Sequence, residues 1–144
     1  MAYFPPIYGS MYQEGLSTVI SIATMNVDYD ITGMGTGILK GMTFQNAKEL
    51  LISSAGTYSA IFHVSFSDSG SVHYEMAIMV NSTRDDKSVS HKTTVNSSDL
   101  ATNAGASILT LAVGDIVKLV VRNSTNSNDP TISHAHLMLM KIDN

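Results

Sequence analysis

Apolar and polar residues alternate with a period of two along most of this 144-residue chain. Within Gly56–Ser67, every second residue from Tyr58 to Phe66 is apolar or aromatic, and serines and a histidine occupy positions between them. A strand that buries one face against a core has this pattern. The same alternation predicts further strands at Val72–Val80, Ser107–Val113, Ile116–Arg122 and Thr131–Ile142.

One short stretch has a helix-forming composition. Asn46–Ile52 contains several good helix formers, but seven residues cannot hold a helix unaided. We therefore interpret Gln45–Lys48 as a turn and Glu49–Ser53 as a strand. About eight to ten short strands with no helix between them predict an all-β fold, a two-sheet antiparallel sandwich.

Turn residues between the strands predict how neighbouring strands connect. Ser67–Gly70 has turn chemistry, so we expect Gly56–Ser67 and Val72–Val80 to form a hairpin. Gly114 and Asp115 predict a second hairpin, between Ser107–Val113 and Ile116–Arg122. Shorter strands are expected at Tyr8–Tyr12, Thr18–Ala23 and Gly37–Phe44, and one more within the polar segment Asn81–Ser98.

Composition excludes several classes of function. The net charge of −4 disfavours a polyanion-binding surface, so we expect no nucleic-acid partner. The chain contains no cysteine, which excludes disulfides, thiolate metal sites and a cysteine nucleophile. Because no 18-residue apolar stretch or basic leader is present, we expect neither a membrane span nor a signal peptide.

The first seven residues differ from the rest of the chain. Paired prolines lock φ and remove amide donors, so residues 1–7 read as an extended arm ahead of one domain at residues 8–144. The arm is apolar, and we predict that it docks on the surface of another protein or of a sister subunit. The predicted docking residues are Tyr3, Phe4, Pro5, Pro6 and Ile7.

Four segments, taken in order, resemble a known family. They are Gly56–Phe66, Met76–Asn81, Leu111–Leu119 with its Val113-Gly114-Asp115 turn, and Ala135–Ile142. Over roughly residues 8–142 the chain resembles the globular-head jelly roll shared by complement and tumour necrosis factor proteins, in particular the stand-alone versions of tailed bacteriophages. The resemblance implies a ten-stranded jelly-roll sandwich that assembles as a homotrimer about a threefold axis. It also implies a binding or structural role, with no catalytic residue and no cofactor.

The last predicted strand is apolar on both faces. Ser133, Ala135, Leu137 and Leu139 alternate with Ile132, His134, His136, Met138, Met140 and Ile142. Such a strand is either central in a thick core or covered by another subunit. The predicted strands Val72–Val80 and Ile116–Arg122 repeat the pattern, and we expect the three strands to lie side by side. The predicted trimer interface comprises Ala77, Met79, Val120, His134, His136, Met138 and Met140.

Histidines and paired aspartates are the candidates for metal chemistry. His134 and His136 share one face, where a threefold axis would gather three copies around a metal ion. Packing at a subunit interface is the better explanation of the pair, because no acidic residue lies in the same strand, so we predict no metal site. The cupin ligand order is also wrong, because the His-x-His lies at the C-terminal end. Asp28 and Asp30 offer too few oxygens for calcium and are expected to be solvated loop residues.

We therefore expect a non-enzymatic virion protein. The function predicted first is a trimeric capsid decoration or cement protein of a tailed bacteriophage, assembled in the host cytoplasm and bound to the major capsid protein or other virion proteins. The alternative is a receptor- or glycan-binding module on a tail or head fibre. In that case the polar loops Asn81–Ser98 and Asn123–Pro130 would contact a host-surface glycan. A metalloenzyme is a third class and would require a retained metal ion.

Overall fold

A computed structural model describes residues 5–95 and 99–143 of the chain. These residues form twelve strands and a single 3-10 turn at Asp86–Ser88, and none of them lies in a helix suited to crossing a membrane. The strands are β1 (Tyr8–Val19), β2 (Asp28–Asp30), β3 (Gly35–Lys40), β4 (Met42–Gln45), β5 (Glu49–Ile52), β6 (Gly56–Ser67), β7 (His73–Val80), β8 (Thr83–Arg84), β9 (Ser90–Thr93), β10 (Ala101–Leu111), β11 (Ile116–Asn123) and β12 (Thr131–Asp143).

The strands make two antiparallel sheets. Sheet A has the order β10-β6-β12-β1-β3, so the last strand of the chain is at its centre. Sheet B has the order β4-β5-β11-β7-β8, with β2 added to β11 and β9 added to β7. The predicted all-β antiparallel sandwich is confirmed.

A core of aromatic and aliphatic side chains lies between the sheets. Phe62 and Phe66 of β6 and Tyr74 of β7 are fully buried, and the Phe66 and Tyr74 rings meet edge to face at 5.3 Å. Burying a side chain of this size stabilises the fold by about 1.5–3 kcal/mol. The Tyr74 hydroxyl donates a 2.7 Å hydrogen bond to Asp68, so its buried polar end is satisfied.

Both predicted hairpins are wrong. β6 lies in sheet A between β10 and β12, whereas β7 lies in sheet B and pairs with β11. In the same way, β10 belongs to sheet A and β11 to sheet B. Alternation shows that a strand has one face in the core, and strands of either sheet meet that condition. The turns after β6 and β10 therefore carry the chain across the sandwich.

Several predicted strand limits also change. The predicted strand Tyr8–Tyr12 and the first two residues of the predicted strand Thr18–Ala23 belong to one strand, β1, whose register shifts between Glu14 and Thr18, and residues 20–23 lie in no strand. The predicted strand Gly37–Phe44 divides at Gly41, where φ is +76°. This break places β3 in sheet A and β4 in sheet B.

Other predictions of local structure hold more closely. The turn before β5 and the strand β5 itself are confirmed. The polar segment after β7 contains two short strands, β8 and β9, rather than one. Residues 96–98 of that segment lie outside the described residues.

The predicted N-terminal arm is described only in part. Tyr3 and Phe4 lie outside the described residues, and Pro5 and Pro6 are exposed. Ile7 packs on the edge of the core, and its carbonyl accepts a 2.9 Å hydrogen bond from the Lys141 amide. Ile7 is therefore anchored to its own domain, and docking of the arm elsewhere stays a prediction.

Candidate functional site

The outer surface of sheet A is organised around β12. The inward side chains of this strand, Ala135, Leu137 and Leu139, are fully buried between the sheets. Its outward side chains are His134, His136 and Met138, which are half-buried, and Met140, which is exposed. As predicted, β12 therefore carries apolar side chains on both of its faces.

A register shift near the start of β12 changes one predicted assignment. We expected Ile132 on the outer face, but the register shifts between Ile132 and His134, and Ile132 is fully buried. The Ser133 hydroxyl donates to the Ser65 carbonyl at 3.1 Å. A bulge inserts one residue and reverses the side-chain alternation that follows it.

Cross-strand register brings residues from five strands onto this surface. His136 is opposite His63 of β6 and Tyr12 of β1, and Met138 is opposite Ile61 of β6. We call this surface the A face. Its residues are Tyr8, Ser10 and Tyr12 of β1, Ile38 of β3, Ser59, Ile61, His63 and Ser65 of β6, Ala104, Ala106 and Ile108 of β10, and His134, His136, Met138 and Met140 of β12.

The A face exposes much apolar surface and carries few charged side chains. Exposed fractions are 75% for Ile38, 60% for Ile108, 48% for Met140 and 44% each for Tyr12 and Ile61. Together with Ile142 at the end of β12, these residues are half of the large hydrophobic side chains that the described chain exposes. Within the register, Glu14 lies opposite His134 and Lys40 lies opposite Tyr8. Apolar patches of this kind mark interaction sites.

Three histidines cluster at the centre of the A face. The His63 ring is parallel to that of His134 at a centroid distance of 4.9 Å and lies 5.4 Å from that of His136. Burial lowers the pKa of His63, and repulsion from a protonated His134 lowers it further. Burial and the two neighbouring histidines likewise lower the pKa of His136. The neutral forms of His63 and His136 are therefore favoured.

His63 is a site residue that sequence reasoning missed. Alternation placed it on the outer side of its strand, but that pattern does not identify the neighbouring strand. Only the pairing of β6 with β12 brings His63 beside His136.

A shallow hollow of about 300 Å³ adjoins the histidines. Ile38, Met138 and Met140 form its apolar wall, and Tyr8 and His136 complete its rim. Methionine side chains are unbranched and adapt to an irregular partner surface. The hollow therefore has the size and lining to receive an apolar side chain from another protein surface.

The other three predicted interface residues lie on the opposite side of the molecule. Ala77, Met79 and Val120 form a small cluster on the outer surface of sheet B, which we call the B face, and Val89 packs over it. Their exposed fractions are 1%, 9% and 0%. The prediction that their strands adjoin the last strand is wrong, because β7 and β11 lie in sheet B and β12 lies in sheet A. The chain itself buries these three side chains.

Ion pairs cover much of the B face. Arg122 donates two 2.9 Å hydrogen bonds to the carboxylate of Asp28, and Arg84 contacts Glu75 at 3.2 Å and Asp86 at 3.0 Å. Asp30 contacts Lys48 at 2.7 Å and Lys118 at 3.0 Å. The expectation that Asp28 and Asp30 are solvated loop residues is wrong, because β2 pairs with β11 and places both beside cations.

The ion pairs stabilise the charged forms of Asp30 and Arg122. Burial alone would raise the pKa of Asp30, but hydrogen bonds from Lys48 and Lys118 outweigh it and hold the pKa below its usual value. The hydrogen bonds to Asp28 raise the pKa of Arg122. Carboxylates neutralised in this way are poor ligands for a calcium ion.

The remaining two histidines lie beside the ion pairs. His73 Nε2 and His91 Nδ1 are 3.1 Å apart, and His73 Nδ1 lies 3.0 Å from the Thr93 hydroxyl. Across residues 5–95 and 99–143, no three histidine, aspartate or glutamate side chains are grouped to hold a metal ion.

Comparison with known proteins identifies the fold. No protein-family model and no curated protein sequence matches this chain. Among solved structures, Eiger TNF from S. frugiperda matches with a TM-score of 0.66 and 14% identity, over 98% of this chain and 95% of that one. Murine APRIL at pH 5.0 matches with a TM-score of 0.61 and 12% identity, over 94% of this chain and 99% of that one.

A complement protein matches equally well. The globular domain of zebrafish complement 1qA matches with a TM-score of 0.62 and 13% identity, over 96% of this chain and 99% of that one. Likenesses at such low identity concern the fold. The chain therefore has the jelly-roll fold found in tumour necrosis factor and complement globular-head domains.

Proposed function

We propose that this protein is a homotrimeric, non-catalytic module whose copies associate through the A face. The observation that carries the proposal is the concentration of exposed apolar side chains on one outer surface, with Ile38 and Ile108 the most exposed. Closed symmetric assembly is the usual way for a small protein to shield such a surface. The resemblance to globular-head proteins implies the same threefold arrangement.

The chemistry of the A face also suits a subunit contact. Its centre carries Ile61, Met138 and three histidines, and Ala104 and Ala106 allow close approach of a second backbone. Interfaces between stable subunits are depleted of charge at their centre, as this surface is. The hollow beside Met140 would accept a side chain of the sister copy.

Within that assembly, we propose that the protein serves as a capsid decoration or cement protein of a tailed bacteriophage. A trimer bridges neighbouring shell subunits, and its N-terminal arm, with Pro5 and Pro6 exposed, extends to the major capsid protein or to another virion protein. Proline reduces the entropy lost when such an arm becomes ordered. The bacteriophage resemblance of the sequence supports this role.

A receptor- or glycan-binding module is the second candidate, favoured by the ordering of one polar loop. The fully buried Asn123 accepts hydrogen bonds from the amides of Thr125 and Asn126 and donates one to the Asn128 carbonyl. This network holds the loop after β11 in a fixed shape. Fixed polar loops on a rigid sandwich suit recognition of another molecule.

Sedimentation equilibrium at micromolar concentration tests the assembly. We expect a species of three times the 15.4 kDa chain mass. A homogeneous species with the mass of one chain would contradict the proposed assembly and, with it, the proposed function.

The position and copy number of the protein in an image of the intact particle separate the two roles. Hundreds of copies over the shell support decoration, and a handful at the tail supports recognition. Deleting residues 1–6, which leaves the Ile7 anchor in place, tests the arm. Binding to undecorated shells should weaken, and unchanged binding would reject the docking role.

A further inference from the structure

We infer that association through the A face is switched by pH, and that protonation of the histidine cluster His63, His134 and His136 separates the subunits. The inference rests on the proposed function, since it concerns regulation of the same surface. It stands first on geometry, because the His63 ring lies within 5.4 Å of both other rings. A second or third positive charge placed there would face the first at contact distance.

The cluster lies where a sister copy would remove it from water. His63 and His136 are half-buried in the single chain and are flanked by Ile61, Met138 and Ala104. A partner that covers these apolar neighbours also covers the rings. Burying a charged ring without a counter-ion is costly, whereas a neutral imidazole is accommodated readily.

Charged groups on the surrounding strands do not neutralise the positive charge of the protonated histidines. β6 and β10 contain no charged residue, so neither contributes a carboxylate. On β1 the register places Glu14 opposite His134, with Tyr8 and Tyr12 farther along. On β3, Lys40 lies opposite Tyr8, at the end of the sheet far from the histidines. On β12 itself, Lys141 points inward and donates a hydrogen bond to Ser54. Asp143 lies opposite Thr57 at the end of the strand. One exposed carboxylate cannot neutralise three imidazolium rings.

The direction of the pH effect follows from proton linkage. Burial and mutual repulsion already lower the pKa of His63 and of His136 in the single chain. Covering the rings lowers both pKa values further, so the trimer binds fewer protons than three separate chains do. Acid therefore favours the separate chains. The trimer should be complete above the free-chain pKa values of His63 and His136, which lie below the ordinary histidine value of about 6.5, and should be lost progressively as pH falls through them.

The single chain should remain folded during this change. The rings lie on the outer surface of sheet A, so each can be hydrated once the sister copies leave. Each histidine that must stay neutral in the trimer weakens association about tenfold per pH unit below its free-chain pKa.

The test measures sedimentation of the full chain at pH 8.0 and pH 5.0, with circular dichroism to follow β structure. We expect a trimer at pH 8.0 and folded single chains at pH 5.0, with association weakened about 100-fold or more. For the variant H63Q/H134Q/H136Q, the ratio of the association constants at pH 8.0 and pH 5.0 should fall close to one, whatever its affinity at pH 8.0. The matched control H73Q/H91Q removes the two B-face histidines and should separate in acid as the unaltered protein does.

Each outcome has a definite meaning. A trimer that persists at pH 5.0, or an H73Q/H91Q variant that alone loses the pH response, overturns the inference and leaves the proposed function standing. A single chain at pH 8.0 overturns the proposed function itself. Should the triple variant fail to assemble at pH 8.0, the single variant His63→Gln decides, because its dissociation midpoint should move to lower pH. An unchanged midpoint overturns the inference.

Discussion

The two outer surfaces of this sandwich are completed in different ways. On the B face, Val89 covers Ala77 and Val120, and Asp28 and Asp30 pair with cations of the same chain. On the A face, Ile61 and Ile38 remain exposed around a cluster of histidines. The chain therefore covers the apolar side chains of the B face itself, whereas it leaves those of the A face exposed, as in a surface that binds another subunit.

The difference has a topological cause. The segment that follows β7 folds back beside β7 at the edge of sheet B as β8, the 3-10 turn and β9, and Val89 of this segment packs against the B-face cluster. In the described part of the chain, no segment folds over the A face in this way. The outer apolar side chains of a strand that is apolar on both sides are thus covered by the chain itself when the strand lies in sheet B, and they stay exposed when it lies in sheet A.

The largest expected effect comes from placing the same charge on both faces. Val120→Lys puts an ammonium group into a fully buried site on the B face and should lower the free energy of unfolding by at least about 3 kcal/mol. Ile61→Lys changes a side chain that is 44% exposed, so the single chain should stay folded. Three copies of that charge at the subunit contact should nevertheless abolish assembly.

Urea unfolding and sedimentation distinguish the two variants. Were Ile61→Lys to assemble normally, the A face would not be the contact surface. Were Val120→Lys to fold with full stability, the claim that the chain itself completes the B face would be wrong.

A smaller effect is expected from breaking the ion-pair network. Arg122→Gln removes both hydrogen bonds to Asp28, a carboxylate only 14% exposed, and should cost about 1–2 kcal/mol of stability without altering assembly. Lys92→Gln is the matched control. Lys92 is exposed and takes part in no ion pair of the described residues, so its loss should change the free energy of unfolding by less than about 0.5 kcal/mol. Equal effects of the two substitutions would contradict a structural role for the network.

The smallest effect is a pH-dependent one at Asp30. The pKa of this carboxyl is lower in the folded chain than in the unfolded one, so its ionisation stabilises the fold above the unfolded value of 3.8. Asp30→Asn should be less stable than the unaltered chain near pH 7, by about 1 kcal/mol or less. That difference should shrink as pH falls below 3.8 and through the lower folded value. A difference in urea midpoints that stays constant down to pH 2.5 would contradict this assignment.

Strand positions were largely predictable from the sequence, but strand partners were not. Gly56–Ser67 was predicted as a strand with the limits of β6, and its alternate residues from Tyr58 to Phe66 were correctly expected in the core. Both hairpins were wrong, since each turn crosses between sheets. A local alternation reports which side of a strand meets the core and contains no information about the strand beside it.

The same limit explains the partial success at the candidate site. The shared face of His134, His136, Met138 and Met140 was predicted correctly because they lie on one strand, where spacing alone determines the face, and their role in a trimer interface stays a prediction. His63 was missed, and Ala77, Met79 and Val120 were misplaced, because their surroundings depend on distant pairings.

By itself, the sequence determined that the chain is an all-β sandwich and that its last strand is apolar on both sides. Those properties follow from residue spacing, since the two-residue period of a strand is a local geometric fact. Only the tertiary structure decided which apolar outer surface is covered and which is open. That decision depends on contacts between residues far apart in the chain, such as Val89 over Ala77 and His63 against His134.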